Sequence, residues 1–404
     1  MVSSTTRPFL AYRWWVVAAL AVTSTVGYGV LQYAFAVLLV PMQDALNADR
    51  TTVTGAQTVA LLAGALAAVP AGRWLDRWGG RALMVGCSVL ATLLVLAWSR
   101  VESIPALYAV SFGLGVASAG VLYEAAFAVV VTLFQDAARG TALLAIASVG
   151  GFASTIFMPL TAVLVEQYGW RQALVVLGVI YGVLTIPLHL LVRRPRDFVP
   201  RRRKARRRAA ASAFRDPAYW LLGGGFVAQG IGIFVVGVHL VAYVRELGHA
   251  PTVAATVAGL LGVMSVTGRV VTTFAGRRYA FTSVVAVIFA VQAAGLALLP
   301  AAGHALGAAI ACVLAVGLGF GVSTIARPTL LADRYGVEGF ATLAGLLAAL
   351  LTVTKALAPL GAAWLRTAAG NYTLVMAISA AGAVLGAAGL LALGRAQRRG
   401  SSDV

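Results

Sequence analysis

The sequence predicts an all-α membrane protein with twelve transmembrane helices, arranged as two six-helix pseudo-repeat bundles. Two features of composition support this prediction: 60% of the 404 residues are hydrophobic, and only 11% are charged. The apolar residues also form continuous runs close to the ~20 residues that a helix needs to cross a bilayer. Because these runs do not alternate with polar residues, they exclude a transmembrane β-barrel.

The apolar runs define the predicted helices in chain order. They cover residues 14–40, 52–72, 82–98, 105–133, 140–166, 170–192, 217–245, 252–275, 280–298, 304–331, 339–364 and 370–394. The first run is too long for the hydrophobic core of a cleavable signal peptide, so we interpret it as a spanning helix. The predicted domains are a first bundle at 1–192, a linker at 193–216 and a second bundle at 217–404.

The basic residues predict how the chain is oriented. Of the net charge of +18, a large part comes from eleven Lys and Arg residues between Arg193 and Arg215, in the predicted linker. The positive-inside rule places this linker and both termini in the cytoplasm, for a multi-pass protein of the cell (inner) membrane. No aromatic residues alternate with these arginines and no recognition helix follows, so we expect no nucleic-acid partner.

Several classes of protein chemistry lack a motif in this sequence. Cys87 and Cys312 both lie inside apolar runs, where we expect inert thiols rather than a disulfide or metal ligands. No nucleotide-binding loop, metal cluster or catalytic triad is visible. We therefore expect a monomer in the lipid bilayer that is not an enzyme and needs no cofactor.

The two halves repeat each other weakly. The Gly-Leu-Gly at 113–115 recurs at 317–319, and Pro159 recurs as Pro359, with offsets of 204 and 200 residues. A parallel repeat of two six-helix halves is typical of transporters that hold their substrate between the halves.

Three ionisable residues lie inside otherwise apolar runs: Glu124, Arg269 and Lys355. A charged group at bilayer depth is costly unless it faces a partner or a cavity. One interpretation is a pathway for a negatively charged substrate, with the two cations binding it. The other interpretation is that these residues pair with each other and only hold helices together.

Other polar residues of the predicted helices also allow two interpretations. Tyr28, Gln32 and Tyr33 of the first helix either line a substrate cavity or pack as ordinary helix contacts. His239 either contacts substrate or has a structural role. Glu124, which follows Tyr123, either carries a proton or is a static partner of Arg269 or Lys355. In a third interpretation it pairs with a cation in the empty protein and is displaced by substrate.

The loop after the second predicted helix carries the most specific motif. Its sequence is Gly-Arg-Trp-Leu-Asp-Arg-Trp-Gly-Gly-Arg, and we single out Gly72, Asp76, Arg77, Gly79 and Arg81. It resembles the cytoplasmic signature loop of the major facilitator superfamily, which implies the major facilitator fold. The glycines allow close helix approach, the aspartate can contact a neighbouring helix end, and the arginines can bond carbonyls or a carboxylate. We expect this network to act as a cytoplasmic gate.

The second half carries a decayed copy of this motif. It runs from Gly268 and Arg269 to Gly276, Arg277 and Arg278, and Gly276 stands where the acidic residue would be. We therefore expect an asymmetric gate.

Within the superfamily, several stretches resemble the branch of monocarboxylate carriers and oxalate/formate antiporters. They are Gly27-Tyr28-Gly29, Val40-Pro41-Met42, Asp49-Arg50, Arg139-Gly140, Gly169-Trp170-Arg171 and Gly268-Arg269. This resemblance implies that Arg269 holds a substrate carboxylate, and its oxalate/formate members imply the same for Lys355. The chain departs from the animal carriers, because Ser265 stands where they have an aspartate and the first helix has no lysine.

The predicted function is secondary transport of small organic anions, mono- or dicarboxylates, by alternating access. The partner is a proton in symport or a counter-anion in exchange. One alternative is a proton-coupled exporter of drugs or other amphiphiles, in which Glu124 is the key residue. A second alternative is a membrane sensor or scaffold that transports nothing.

Overall fold

The structure is a computed structural model, and it describes residues 6–134, 138–193, 211–336 and 340–402. Within these ranges every regular element is a helix and no β-strand occurs. Residues 194–210, which make up most of the predicted arginine-rich linker, lie outside the described residues.

The helices alternate with short connections along the whole chain. In chain order they are α1 (Thr6–Tyr28), a π-helical segment (Gly29–Tyr33), α2 (Ala34–Leu46), α3 (Arg50–Trp78), α4 (Gly80–Trp98), α5 (Ile104–Ser118), α6 (Tyr123–Leu133), α7 (Ala138–Gly150), α8 (Ala153–Leu190), α9 (Pro217–Glu246), α10 (Pro251–Ala275), α11 (Phe281–Ala302), α12 (Leu306–Tyr335), α13 (Phe340–Ala369) and α14 (Thr373–Ser402).

Eleven segments of the described chain are long and apolar enough to cross a membrane. One of them, Ala138–Leu190, has 53 residues and contains Gly169, whose φ of 76° and ψ of 161° are not helical. This backbone conformation is essentially restricted to glycine, so the helix direction changes there. Since one crossing takes about 20 residues, this segment is long enough for two, which gives the twelve crossings predicted from the sequence.

Two predicted helices are interrupted in the structure. The first contains the π-helical turn Gly29–Tyr33, and the fourth is broken between Ser118 and Tyr123, where Leu122 has extended φ and ψ of −84° and −166°. An apolar run of 27 to 29 residues looks continuous in sequence because hydropathy does not register such breaks. Both interruptions re-aim side chains within the helix, as π-turns often do at functional sites.

The chain forms two compact units. The first combines Met1–Ala210 with Tyr335–Thr352, and the second combines Ala211–Arg334 with Val353–Val404. The start of α13 thus belongs with the N-terminal residues. The predicted domain boundaries, which place 217–404 in a single bundle, stay a prediction.

In the first unit, α3 packs against α5, α4 packs against α8, and α1 packs against α7 and α8. Phe35 and Trp98 stack with ring centroids 5.9 Å apart, and the Trp98 indole N–H donates to the sulfur of Met42. The buried side chains of Ser88 and His189 form a 2.7 Å hydrogen bond between α4 and α8. Such bonds between helices satisfy polar groups that lipid cannot solvate.

In the second unit, α14 packs against both α9 and α11. A buried amide network joins three helices: Gln229 of α9 donates to Gln292 of α11 at 2.8 Å, and Ser323 of α12 donates to Gln229 at 2.7 Å. The Gln229 amide also lies 3.4 Å from the Gly319 carbonyl oxygen of α12. This network fixes the middle of α12 relative to its neighbours.

Candidate functional site

The acidic residue of the signature loop binds the start of another helix. Asp76, which is 6% exposed near the end of α3, accepts hydrogen bonds from the backbone N–H groups of Ala341 and Thr342 at 3.1 and 3.0 Å. The Thr342 hydroxyl donates to the same carboxylate at 2.6 Å. These N–H groups belong to the first turn of α13 and have no partner within their own helix. A negative charge there is also stabilised by the helix dipole.

Gly72, one turn before Asp76, is required by the same contact. A Cβ atom at this position would collide with the backbone carbonyl of Ala341. The backbones of α3 and α13 therefore touch, which brings the carboxylate within hydrogen-bonding distance of α13. Gly79 lies at the turn between α3 and α4, with a φ of 78°.

The arginines of the motif are placed differently from the aspartate. Arg77 and Arg81 are exposed, and the guanidinium carbon of Arg77 lies 4.6 Å from the ring centroid of Trp78. Among the described contacts, Arg77 stacks on an aromatic ring instead of bonding a carbonyl or a carboxylate.

Arg269 is the buried cation of the second unit. Its side chain is 9% exposed on α10, and its Nε–H donates to the backbone carbonyl of Gly321 on α12 at 3.2 Å. Ser265, one turn earlier on α10, is also buried and lies beside Gly321. The bond through Nε holds the guanidinium plane against α12. A guanidinium held in this way is a rigid fork of donors that matches a carboxylate.

Lys355 is exposed, so it is not a buried cation as Arg269 is. It lies on α13, four residues before Pro359. Because proline has no N–H, Pro359 cannot donate the usual helical hydrogen bond to the Lys355 carbonyl. The hydropathy of a run predicts that a helix spans the membrane, but it does not predict whether a given side chain on that helix is buried or exposed.

Glu124 lies in the first turn of α6, directly after the break in the fourth predicted helix, and is partly buried. The preceding residue, Tyr123, donates to the Ala147 carbonyl at 3.3 Å, and its ring centroid is 4.5 Å from that of Tyr28. The two predicted tyrosines therefore meet. The break places the carboxylate at the N-terminal, positive end of the α6 helix dipole.

Gln32 and Tyr33 lie in the π-helical segment, with Gln32 partly buried and Tyr33 39% exposed. A π-turn shifts the helical face by one residue, so these two side chains do not follow the α-helical register of α1. Their proposed role in lining a cavity stays a prediction.

His239 uses both ring nitrogens within the protein. Its Nε2 lies 3.0 Å from the Pro359 carbonyl oxygen of α13, and its Nδ1 lies 3.0 Å from the Tyr372 hydroxyl. Since a carbonyl only accepts, Nε2 carries the proton and Nδ1 accepts from the tyrosine. This arrangement joins α9 to α13 and favours the structural interpretation of His239 over substrate contact.

The second unit also contains a cavity of about 350 Å³ between α9, α13 and α14. Leu357, Leu365, Val375 and Ile378 are among its lining residues, and neither Arg269 nor Lys355 is one of them. The Ser379 hydroxyl, which also lines it, is bonded to the Val375 carbonyl. The cavity therefore suits an apolar group better than an anion.

Sequence reasoning did not identify the amide network or the partner of Asp76. Gln229 and Gln292 are fully buried polar residues inside apolar runs, the same signal that identified Arg269. A search for charged residues inside apolar runs does not find these two amides, because they carry no charge. Nothing in the sequence points to Thr342, because its role depends on a contact between segments about 270 residues apart.

Comparisons with known proteins match this architecture. The family profile described as Major Facilitator Superfamily matches residues 17–359. The oxalate:formate antiporter of Oxalobacter formigenes is 25% identical over 298 residues, 71% of this chain and 69% of that protein. An uncharacterised transporter of the major facilitator type from Bacillus subtilis (strain 168) is 23% identical over 177 residues, 43% of each chain.

Solved structures show the same fold at low sequence identity. The fucose:proton symporter of E. coli is 16% identical, with a TM-score of 0.75 over 93% of this chain and 98% of that one. A bacterial homologue of the iron transporter ferroportin, in an outward-facing state, is also 16% identical, with a TM-score of 0.76 over 94% and 99% of the two chains.

The three bonds to Asp76 predict a measurable effect on stability. We expect Asp76→Ala to lower the free energy of unfolding by about 1–2 kcal/mol, because the first turn of α13 loses a charged cap. Thermal unfolding of the purified protein in detergent measures the change. Asp44→Ala, which removes an exposed carboxylate from the same unit, is the matched control. Equal unfolding midpoints for the two variants would show that the cap does not stabilise the fold.

Proposed function

This chain belongs to the Major Facilitator Superfamily, and we propose that it is a secondary transporter of small carboxylate anions that works by alternating access. The superfamily match covers most of the chain, and the relatives found are transporters. The substrate class, and coupling by either proton symport or anion exchange, are our own proposals.

The observation that carries the proposal is Arg269. It is a buried cation inside a membrane-spanning helix, and its guanidinium is oriented by the Gly321 carbonyl. A buried arginine in a spanning helix is costly and is usually retained for function. The group that matches its planar fork is a carboxylate.

The similarity to the oxalate:formate antiporter supports the same substrate class. Oxalate is a dianion and formate a monoanion, so a protein that exchanges them handles both charges. In this chain, we propose that Arg269 binds one carboxylate and that Lys355 supplies a second positive charge for a dianion. Exposure of Lys355 suits a group that attracts a substrate from water, since lysine acts as a hydrated point charge.

We propose that Asp76 and the start of α13 form the gate on the cytoplasmic side. The Asp76 carboxylate is an anion bound to a helix N-terminus, which the helix dipole stabilises. Because both N–H donors belong to one turn of α13, both hydrogen bonds would break together when α13 moves. Because Gly276 replaces the acid in the second copy of the motif, we propose that the gate is built on one half of the chain.

Arg269→Lys keeps the positive charge but removes the fork. We expect transport of carboxylates to fall by at least about tenfold, because one point charge replaces a bidentate contact. Uptake of labelled oxalate and formate into liposomes that contain the purified protein measures this. Arg278→Lys, an exposed arginine just beyond α10, is the control and should transport like the unmodified protein. Normal uptake by Arg269→Lys would exclude a bidentate role.

Lys355→Gln tests the second cation. We expect uptake of the dianion oxalate to fall more than uptake of the monoanion formate, because Arg269 alone still binds a single carboxylate. Each variant serves as its own control, since the measured quantity is the ratio of oxalate to formate uptake. A ratio equal to that of the unmodified protein would show that Lys355 does not distinguish a dianion from a monoanion.

One observation favours the alternative of an amphiphile exporter. The cavity between α9, α13 and α14 is apolar, and such cavities suit hydrophobic ligands. In that case Glu124 would couple transport to protons, and carboxylates would not be substrates.

Glu124→Gln separates these two functions. For an anion exchanger, we expect oxalate–formate exchange without a pH gradient to stay within about twofold of the unmodified rate. The reason is that the substrate is bound by Arg269 and Lys355, and Glu124 does not contribute a positive charge to that binding. For a proton-coupled exporter, pH-driven efflux of an amphiphilic dye should be lost, since glutamine cannot take up a proton. Dye efflux that requires Glu124, together with no carboxylate uptake, would replace our proposal with the alternative.

A further inference from the structure

The exposed face at the end of α3 combines aromatic rings with cations. Trp74 and Trp78 are 45% and 43% exposed, and their ring centroids are 6.4 Å apart. Arg77 lies over the Trp78 ring, with its guanidinium carbon 4.6 Å from the centroid. Tryptophans are large apolar side chains that are normally removed from water, so two exposed on adjacent turns need an explanation.

This face and the gate contact occupy opposite sides of the same turns. Gly72, Leu75 and Asp76 are buried, whereas Arg73, Trp74, Arg77 and Trp78 are exposed, as the helical period requires. The acid in this segment, Asp76, is committed to the start of α13. The exposed face is therefore both aromatic and positively charged, and Arg81 adds a further exposed cation at the start of α4.

The position of this face identifies its surroundings. Trp78 ends the 27-residue candidate span Thr52–Trp78, and because one crossing needs only about 20 residues, we place this face at the end of the crossing, near the lipid headgroups. Tryptophan is enriched at this depth because its ring is apolar and its N–H is polar. On the orientation predicted from the basic residues, this is the cytoplasmic surface, which carries the anionic lipids.

A related arrangement recurs in the second unit. Arg277 lies over Phe274 at the end of α10, 4.8 Å from the ring centroid, and both side chains are exposed. There the aromatic residue is a phenylalanine without a polar N–H, and no second ring stacks with it among the described contacts. The more elaborate copy is therefore the one at the end of α3.

We propose that Trp74, Arg77 and Trp78 form a binding site for the headgroup of an anionic phospholipid. Arg77, held by stacking on Trp78, donates to the phosphodiester, whose oxygens match the guanidinium fork. The two indole rings pack on the glycerol backbone and the upper acyl chain, and their N–H groups remain at headgroup level. No part of this site takes part in substrate binding, so it stands or falls independently of the proposed function.

Fluorescence quenching by brominated lipids tests the site directly. The protein is reconstituted in phosphatidylcholine vesicles that contain either dibromo-phosphatidylglycerol or dibromo-phosphatidylcholine. The contribution of Trp74 and Trp78 is the difference between the unmodified protein and the variant with both replaced by Phe. We expect this component to be quenched with an about fivefold preference for the anionic lipid, the contribution of one arginine near an anionic surface.

Arg77→Gln should abolish the preference, whereas Arg278→Gln should preserve it. Both variants remove one exposed positive charge, so their comparison separates a built site from general electrostatic attraction. Equal quenching by the two lipids in the unmodified protein would mean simple interfacial anchoring and would overturn the proposal. An equal loss of preference in both variants would overturn it as well.

Inorganic phosphate distinguishes a lipid site from a site for a free anion. We expect phosphate at millimolar concentration to leave the lipid preference unchanged when the ionic strength is held constant, because it cannot use the aromatic surface. Displacement of the anionic lipid by phosphate would contradict the assignment to a phospholipid.

Discussion

Polar groups inside membrane helices must find their partners within the protein, because lipid offers none. Several hydroxyl groups among the described residues find their partner within their own helix. Thr92, Thr161, Thr185 and Thr272 each donate to the carbonyl four residues earlier in the same helix. Because these bonds lie within one helix, they do not connect neighbouring helices. The connections between helices therefore come from long or charged side chains whose hydrogen-bond partners lie on a different helix.

Two of those side chains bind backbone groups of opposite polarity. Asp76 accepts from the N–H groups at the start of α13, and Arg269 donates to a carbonyl within α12. Both contacts require close backbone approach. Gly72 allows it for the first, and the glycine-rich stretch 317–321 of α12 allows it for the second. Gln229 of α9 bonds α12 on both sides of this contact, through the Gly319 carbonyl and the Ser323 hydroxyl. The carbonyl that accepts from Arg269 therefore lies in a stretch of α12 that a second helix also holds.

Much of this fold follows from the sequence, because hydropathy measures the property that a bilayer selects. The twelve crossings, the short connections and the motif around Asp76 were all predicted from the apolar runs and the residues between them. The interruptions at Gly29–Tyr33 and before Tyr123 were not, since a run stays apolar whether or not its hydrogen bonds shift register. The exposure of Lys355 could not be predicted for a related reason. Hydropathy averages all faces of a helix, and only packing decides which face a given residue takes.

The site shows a second limit of sequence reasoning. A side chain that bonds a backbone group far away in the sequence has no sequence motif that identifies its partner. Asp76 was expected to contact a helix end, but which helix end depends on how α3 and α13 pack. For His239 the sequence allows two interpretations, substrate contact and a structural role. Its two ring nitrogens bond the Pro359 carbonyl and the Tyr372 hydroxyl, partners that only the packing of α9 against α13 and the start of α14 reveals.

The two halves of the chain repeat a fold, but they no longer repeat its chemistry. The first copy of the signature motif keeps the acid that caps α13, and the second copy has Gly276 at the equivalent turn. The second half keeps a buried arginine at the start of its copy, where the first half has the exposed Arg73. Under the proposed function, these differences separate two roles. Asp76 would release the start of α13 when the gate opens, and Arg269 would release a substrate anion. If both halves kept the same residues, a change that strengthened one contact would also strengthen the other. With the proposed gate on one copy of the motif and the proposed anion-binding cation on the other, the strength of each contact can change without weakening its counterpart.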